Sequence, residues 1–260
     1  MTEDSQQLNG TSLSGDVMAD APAPTEVVPG GPGGKTLIAA VLMNWAAIFA
    51  ITLLVMFVSE GALENADEMK PQNILVMTLL TTLATFLIVW YFTSRRYGKT
   101  LIDGLLLKGV EPGTIKKWAF ISALAAVVAG TLLMLVGEEE GLLFDLVKQP
   151  GGLAIFIVMA LLLPPFEEFY YRGLILPVIA RKIGVVAVPV TALWFTSAHL
   201  PQLWGNWVGV AVIAAMGTLW SLLRYRYNSL LPSIASHWCY NATLVVITIG
   251  QVGLEAIGVL

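Results

Sequence analysis

Residues 161–172 read Leu-Leu-Leu-Pro-Pro-Phe-Glu-Glu-Phe-Tyr-Tyr-Arg, a run that begins as a segment suited to hydrocarbon and then carries two adjacent carboxylates. A charged side chain at the centre of a bilayer costs about 2.5–3.5 kcal/mol on insertion scales. Charged residues inside membrane segments usually serve a purpose, because that cost has to be offset. Glu167 and Glu168 therefore mark a candidate site within the bilayer.

The composition of the chain is that of an integral membrane protein. Of 260 residues, 57% are hydrophobic and 12% are charged, and the mean hydropathy is +0.77. A soluble domain carries about 25% charged residues. Cys239 is the single cysteine, which excludes an internal disulfide and a zinc site built from cysteines. We expect the lipid bilayer and a peptide or membrane-protein substrate as partners, and no nucleic acid.

Seven apolar runs, each near the length of a membrane span, occupy residues 36–58, 73–93, 115–136, 151–171, 185–200, 206–223 and 230–250. The predicted fold is all-α: a polytopic transmembrane bundle of seven helices, or eight if residues 173–182 form an interfacial piece. Residues 1–34 are rich in Gly, Pro, Ser and acids, so we expect a disordered cytoplasmic tail. Residues 35–150 would then be accessory transmembrane helices, and residues 151–250 the helical core that carries the site.

The basic residues predict an orientation. All of the 14 Lys and Arg residues except Lys70 and Lys148 fall on one side of the predicted bundle, and the opposite loops are acidic, including residues 138–140. The positive-inside rule then places the N-terminus in the cytoplasm and the C-terminus outside. Because no targeting signal is evident and the tail is rich in Gly and Pro, we expect a bacterial plasma-membrane protein.

Helical spacing assigns different roles to the two glutamates. Glu168 and Arg172 are four residues apart with the acid first, which is the favourable order for an ion pair. Glu167 precedes Tyr171 by the same interval, and the tyrosine hydroxyl would hydrogen-bond its carboxylate. Adjacent helical residues point about 100° apart, so we expect Glu168 to pair with Arg172 and Glu167 to stay unneutralised as a base. The alternative is that both are structural anchors.

The two histidines of the chain lie on later apolar runs. His199 follows Phe195 by four residues, and His237 precedes Asn241 by four. A single membrane histidine often only hydrogen-bonds a neighbouring helix, but His237 and Asn241 share a helix face and present polar groups to one point. A carboxylate base with positioned donors matches peptide hydrolysis by activated water.

No serine or cysteine lies in a nucleophile setting, because neither Gly-x-Ser-x-Gly nor a thiolate environment is present, and His-Glu-x-x-His is absent as well. We favour a reaction without a cofactor. Zinc stays open, because Glu167, His199 and His237 would supply the three protein ligands of an open catalytic site.

Three ordered motifs carry a family resemblance. Glu-Glu-x-x-x-Arg occupies residues 167–172 and is followed by Gly173, Phe-x-x-x-His occupies residues 195–199, and His-x-x-x-Asn occupies residues 237–241. The chain resembles the CAAX protease and bacteriocin-processing family (CPBP, or Abi) of intramembrane proteases, which includes the type II CAAX prenyl endopeptidases. The resemblance covers about residues 151–250.

This resemblance implies roles for the motif residues. Glu167 and His199 would activate the water, and His237 with Asn241 would stabilise the oxyanion. The supporting residues would be Glu168 and Arg172, with Tyr171 and Phe195 beside them. The family is described both as glutamate-type and as metal-dependent, and we favour the metal-free version. The glutamates lie at the cytoplasmic end of their predicted span, so the site should open toward the cytoplasm.

Two other functions remain open at this point. A non-proteolytic membrane scaffold or bacteriocin-immunity protein of the same family would bind a peptide without cleaving it. A transporter or proton relay would use Glu167 and His199, but internal repeats would favour that function and none is visible in the sequence.

Overall fold

The computed structural model describes residues 33–58, 70–95, 100–107, 109–136 and 146–257. Nearly all of the predicted tail, residues 1–34, lies outside these ranges, as does the acidic loop segment 138–140. Within the described ranges the chain forms helices and turns and no strand, so the all-α class is confirmed.

Ten α-helices are described, in the order α1 Gly34–Val58, α2 Pro71–Trp90, α3 Leu101–Gly104, α4 Pro112–Val136, α5 Gly152–Leu162, α6 Pro164–Glu168, α7 Leu176–Ile183, α8 Ala187–His199, α9 Trp207–Tyr227 and α10 Leu231–Ala256. Two π-helical turns accompany them, Tyr91–Arg95 after α2 and Phe169–Ile175 between α6 and α7. In the core, α10 packs along α4, and α8 packs along α9. The result is a polytopic helical bundle.

Among the described residues, the stretches long and apolar enough to cross a membrane are Gly34–Val58, Pro71–Ser94, Pro112–Leu135, Pro164–His199 and Trp207–Tyr227. Helix α5 is apolar but has only 11 residues. Helix α10 has 26 residues but does not meet the same criterion, because its first half carries serines, His237 and Asn241. Seven crossings therefore remain a prediction.

The fourth predicted span differs most from the structure. The sequence predicts its end at residue 171, but the helical path continues through the π turn and α7 to Ile183. The segment 173–182, expected as an eighth helical piece, supplies most of this continuation. At 1.5 Å per residue, Glu168 lies about 22 Å along the helical path from the end of α7. The glutamates are therefore not at the end of their helix.

Pro164 and Pro165 break this path between α5 and α6. In an α-helix the carbonyl of residue i accepts from the N–H of residue i+4, so the two prolines leave the carbonyls of Ala160 and Leu161 without helical donors. Two side chains of α10 replace them. Asn241 Nδ2 donates to Ala160 O at 3.2 Å, and Trp238 Nε1 donates to Leu161 O at 3.0 Å.

Gly173 sits where the π turn packs against α3 and the start of α10. A Cβ at this position would lie 2.7 Å from Leu105 Cδ2 and 3.3 Å from Leu230 Cδ1. Leu105 and Leu230 are both buried, so neither side chain has free space to move into. The glycine therefore permits close packing beneath the glutamate pair.

We expect Gly173→Ala to lower the free energy of unfolding by about 1–3 kcal/mol, the usual cost of overpacking a well-filled core. Unfolding in detergent measures it. Gly250→Ala is the matched control, because a Cβ there meets nothing within 4 Å. Equal stability of both variants would contradict the packing role of Gly173.

We expect Trp238→Phe to destabilise the fold by about 1 kcal/mol, a typical value for a side-chain hydrogen bond in a membrane protein. Adding Pro165→Ala should restore much of that loss, because the substitution returns a backbone N–H that can donate to the Leu161 carbonyl. A double-mutant cycle measures this coupling. Trp207→Phe, which changes an exposed indole on α9, is the control and should show no coupling to Pro165→Ala.

Candidate active site

Glu168 is a fully enclosed polar side chain, with 0% of its surface exposed. Its Oε1 accepts from Arg172 Nη1 at 3.0 Å and from His237 Nδ1 at 2.9 Å. Its Oε2 accepts from the Ser233 hydroxyl. The ion pair with Arg172 that the spacing predicts is thus confirmed. These donors all bind one buried carboxylate. The carboxylate therefore joins α10 to the glutamate helix, by which we mean α6 and the π turn that follows it.

Arg172 connects the same carboxylate to α9. Its Nε donates to Ser221 Oγ at 3.2 Å, and its Nη2 donates to the Gly217 carbonyl at 2.9 Å. Its guanidinium carbon lies 4.4 Å from the centroid of the Phe195 ring, within the range of a cation–π contact. Every nitrogen of this buried side chain is therefore hydrogen-bonded, and the side chain does not extend to the membrane surface.

His237 lies between the two glutamates. Because Glu168 accepts from Nδ1, the neutral imidazole carries its proton there and directs a lone pair from Nε2. That Nε2 lies 3.6 Å from Glu167 Oε2. The imidazole also stacks on Trp220, with ring centroids 3.7 Å apart and planes inclined by 17°. Stacking on Trp220 and the hydrogen bond to Glu168 together fix the orientation of the imidazole ring.

Glu167 differs from its neighbour in exposure, with 27% of its side chain accessible against 0% for Glu168. Glu167, which the sequence analysis expects to stay unneutralised, has an ionisable neighbour, because His237 Nε2 faces it at 3.6 Å. Spacing along one helix could not show this contact, because the imidazole comes from α10. Glu167 remains the carboxylate of the pair that is partly exposed.

One ring nitrogen of His199 is hydrogen-bonded, and the other has no partner among the residues that the structure describes. Its Nδ1 lies 2.9 Å from the Phe195 carbonyl oxygen. The carbonyl can only accept, so Nδ1 is the donor and Nε2 carries the lone pair of the neutral ring. Helices α7 and α8 are joined by the short turn Gly184–Val186 and run back along each other.

The ring of Phe195 contacts Arg172 across this hairpin. His199 lies one helical turn beyond Phe195, and Glu168 lies one turn before Arg172. The hairpin therefore brings His199 to the depth of the glutamate pair, on the neighbouring helix.

Tyr171 does not hold Glu167 as its spacing suggested. Its ring makes edge contacts with Phe195 and Tyr170, at centroid distances of 5.1 Å each. No hydrogen bond joins its hydroxyl to Glu167 among the side chains that the structure describes. The Phe195 ring, which contacts Tyr171, His199, His237 and Arg172, determines where the tyrosine lies.

Asn241 uses part of its amide in the fold. One Nδ2 hydrogen donates to Ala160 O, and the second remains available because an amide nitrogen carries two. The residue thus both completes the proline break and stands one helical turn beyond His237. Sequence spacing places Asn241 on the helix face of His237, but it does not reveal that the same amide also hydrogen-bonds the Ala160 carbonyl.

The sequence leaves a bound metal open. Across the described ranges, no three His, Cys, Asp or Glu side chains are grouped in a way that would hold a metal ion. In the arrangement seen here, His237 Nδ1 is taken by Glu168 and His199 Nδ1 by a backbone carbonyl. Donation from Nδ1 to a carboxylate or a carbonyl leaves Nε2 of both histidines with a lone pair, as is usual for metal-binding histidines. Zinc held by Glu167, His199 and His237 therefore stays the open alternative to the metal-free site.

Several contributors to the site were not anticipated, namely Ser221, Gly217, Ser233 and Trp220. Ser233 could have been found, because it precedes His237 by four residues and so shares its helix face. The other three lie on α9, and their spacing on that helix does not reveal which neighbour they contact.

The fold and the site together define a polytopic membrane protein with a buried Glu–Arg–His network. The family model described as Type II CAAX prenyl endopeptidase Rce1-like matches residues 149–243, which include all three motifs. The match supports assignment of the chain to the CPBP/CAAX protease family, as the resemblance predicted, and with it a general function as an intramembrane protease. A search of curated proteins and a search of solved structures found no significant match.

We expect Glu168→Gln to reduce folded yield sharply, because it leaves the buried Arg172 guanidinium without a compensating charge. Breaking a buried pair in this way costs about 3–5 kcal/mol. Size-exclusion yield and thermal unfolding in detergent measure the loss, and exposed Glu255→Gln is the control for removal of one carboxylate. Normal yield with abolished turnover would contradict this structural role.

Proposed function

We propose that the protein is an intramembrane endopeptidase in which Glu167 and His199 activate a water molecule for attack on a peptide bond. The observation that carries this proposal is the placement of His237 between two carboxylates, one fully buried and one partly exposed. A purely structural histidine requires only one such partner. Here the second carboxylate is partly exposed, so it is the one that we propose to contact water.

The proposed base is Glu167, because Glu168 is already committed to three donors. Its partly exposed carboxylate would accept a proton from the water, and His199 Nε2, which has a free lone pair, would orient the same water from α8. Two acceptors on one water leave an oxygen lone pair to attack the substrate carbonyl. The hairpin that brings His199 to the level of the glutamates supports this pairing.

The proposed oxyanion donors are His237 and Asn241. A proton shared between Glu167 and His237 Nε2 would turn the imidazole into a donor, with Glu168 balancing the resulting charge from Nδ1. Asn241 would supply its second amide hydrogen from one helical turn away. Donors fixed before the reaction in a site shielded from bulk water stabilise a developing oxyanion at little reorganisation cost.

The proposed substrate is a peptide or a membrane-protein segment, such as a bacteriocin-like peptide, rather than a prenylated protein. We propose location in a bacterial plasma membrane, with the N-terminus cytoplasmic and the C-terminus external. Opening of the site toward the cytoplasm stays a prediction, because the glutamates lie about 22 Å from the end of α7 and not at the end of their helix. The basic residues in the last turns of α7 and α9, among them Lys182 and Arg226, support that orientation.

A non-proteolytic scaffold of the same family is the second candidate. It is favoured by the degree to which Glu168, Arg172 and Asn241 are paired within the fold, since those contacts would also hold helices together in a protein that only binds. The two functions can be distinguished because only the protease requires Glu167 and His199 for cleavage of a peptide bond in its partner.

We expect Glu167→Gln and His199→Ala each to reduce peptide-bond cleavage by about 10²–10⁴-fold, the usual contribution of an acid–base group. Because the substrate is unknown, new peptide termini in membranes of expressing cells can be counted by mass spectrometry. Both variants should insert and purify like the wild-type chain, and Glu255→Gln should cleave normally. If the set of new peptide termini is the same in all variants, the protease proposal is wrong and the scaffold function is favoured.

We expect purified protein to keep its turnover after prolonged treatment with a strong zinc chelator, since both histidines have roles in the proposed reaction that need no metal. The measurement is turnover before and after chelation, with metal content followed in parallel. Loss of turnover that returns when zinc is added would overturn the metal-free reaction and restore Glu167, His199 and His237 as ligands.

A further inference from the structure

A groove on the basic side of the bundle lies apart from the glutamate site. It runs between the start of α1 and the end of α7 and has a volume of about 470 Å³. Lys35 and Lys182 line one part of it, and Leu37, Ile38, Val178 and Ile179 line the rest. Helices α1 and α7 contact each other directly along this groove.

The two lysines bring positive charge together from separate helices. The Lys182 ammonium lies so close to the first turn of α1 that a Cβ on Gly34 would be 2.9 Å from its Nζ. Lys35 is the next residue of that turn. Neither lysine forms an ion pair with any carboxylate that the structure describes. Both side chains are exposed, and an anion in the groove would interact favourably with both charges.

The polarity of the groove changes with depth. On α1, Leu37 and Ile38 follow Lys35 by two and three residues, and on α7, Val178 and Ile179 precede Lys182 by four and three. At 1.5 Å per residue the apolar wall residues lie roughly 3–6 Å along the helix axes from the Cα atoms of the lysines. Both helices place their cations at the same end and their apolar side chains below.

We propose that this groove binds an anionic phospholipid, with its phosphate between Lys35 and Lys182 and an acyl chain along the apolar walls. A phospholipid has the same order of polarity along its length as the groove. Basic pockets between membrane helices on the cytoplasmic side are suited to anionic headgroups. The groove is separate from the glutamate site, so this proposal does not depend on proteolysis.

The test is lipid binding by the full-length chain in detergent, followed by native mass spectrometry. Phosphatidylglycerol and phosphatidylcholine with identical acyl chains are titrated against the wild type, Lys35→Gln/Lys182→Gln and the control Lys116→Gln/Lys117→Gln. The control removes the same charge from exposed lysines at the start of α4. At about 1 kcal/mol per basic residue near an anionic surface, the groove variant should bind phosphatidylglycerol about 30-fold more weakly.

The expected result also includes unchanged phosphatidylcholine binding in both variants and no displacement of phosphatidylglycerol by excess inorganic phosphate. An equal loss in the Lys116/Lys117 control would show unspecific attraction to net charge and overturn the site. Displacement by inorganic phosphate would show a simple anion site instead of a lipid site.

An acidic segment of the same chain is the competing occupant. A full-length variant with neutral residues at the acids before α1 tests it, namely at Glu3, Asp4, Asp16, Asp20 and Glu26. Similar phosphatidylglycerol binding by this variant and the wild type supports the lipid. Binding that appears only in the neutralised variant would assign the groove to the segment and overturn the proposal.

Discussion

The buried carboxylate of Glu168 is the interaction on which the rest of the site depends. It neutralises Arg172, accepts from Ser233 and fixes the tautomer of His237. Ionised groups are stable away from water only when their charges and hydrogen bonds are satisfied together. Here α9, α10 and the glutamate helix meet because each contributes to that balance. The neighbouring Glu167 keeps part of its surface exposed, so the two acids differ in environment although their side chains are identical.

A second constraint is the loss of two backbone donors at Pro164 and Pro165. Unsatisfied carbonyls at membrane depth are costly, and α10 supplies the missing hydrogen bonds through Trp238 and Asn241. The helix can therefore bend immediately before the glutamates without exposing backbone to lipid. Because Asn241 also stands beside His237, the repair of the break and the arrangement of the site use the same segment of α10.

Much of the fold could be predicted because long apolar runs leave few alternatives to membrane helices. The predicted runs begin and end within a few residues of α1, α4 and α8, and spacing alone identified the Glu168–Arg172 pair. The extension of the fourth run to Ile183 was missed because the apolar run itself ends near residue 171, although the helix does not. The position of His237 between both glutamates was missed because periodicity shows which residues share a face, not which helices face each other.

The π turn Phe169–Ile175 sets the rotational phase of its helix. A π turn adds one residue to a helical circuit, which rotates everything after it by about 100° relative to an uninterrupted α-helix. Leu174 and Ile175 at the end of the turn and Leu176 directly after it are all buried, whereas Glu168 before the turn and Arg172 within it face α9 and α10. The turn therefore lets the polar residues near its start and the apolar residues near its end point in directions that an uninterrupted α-helix would not combine.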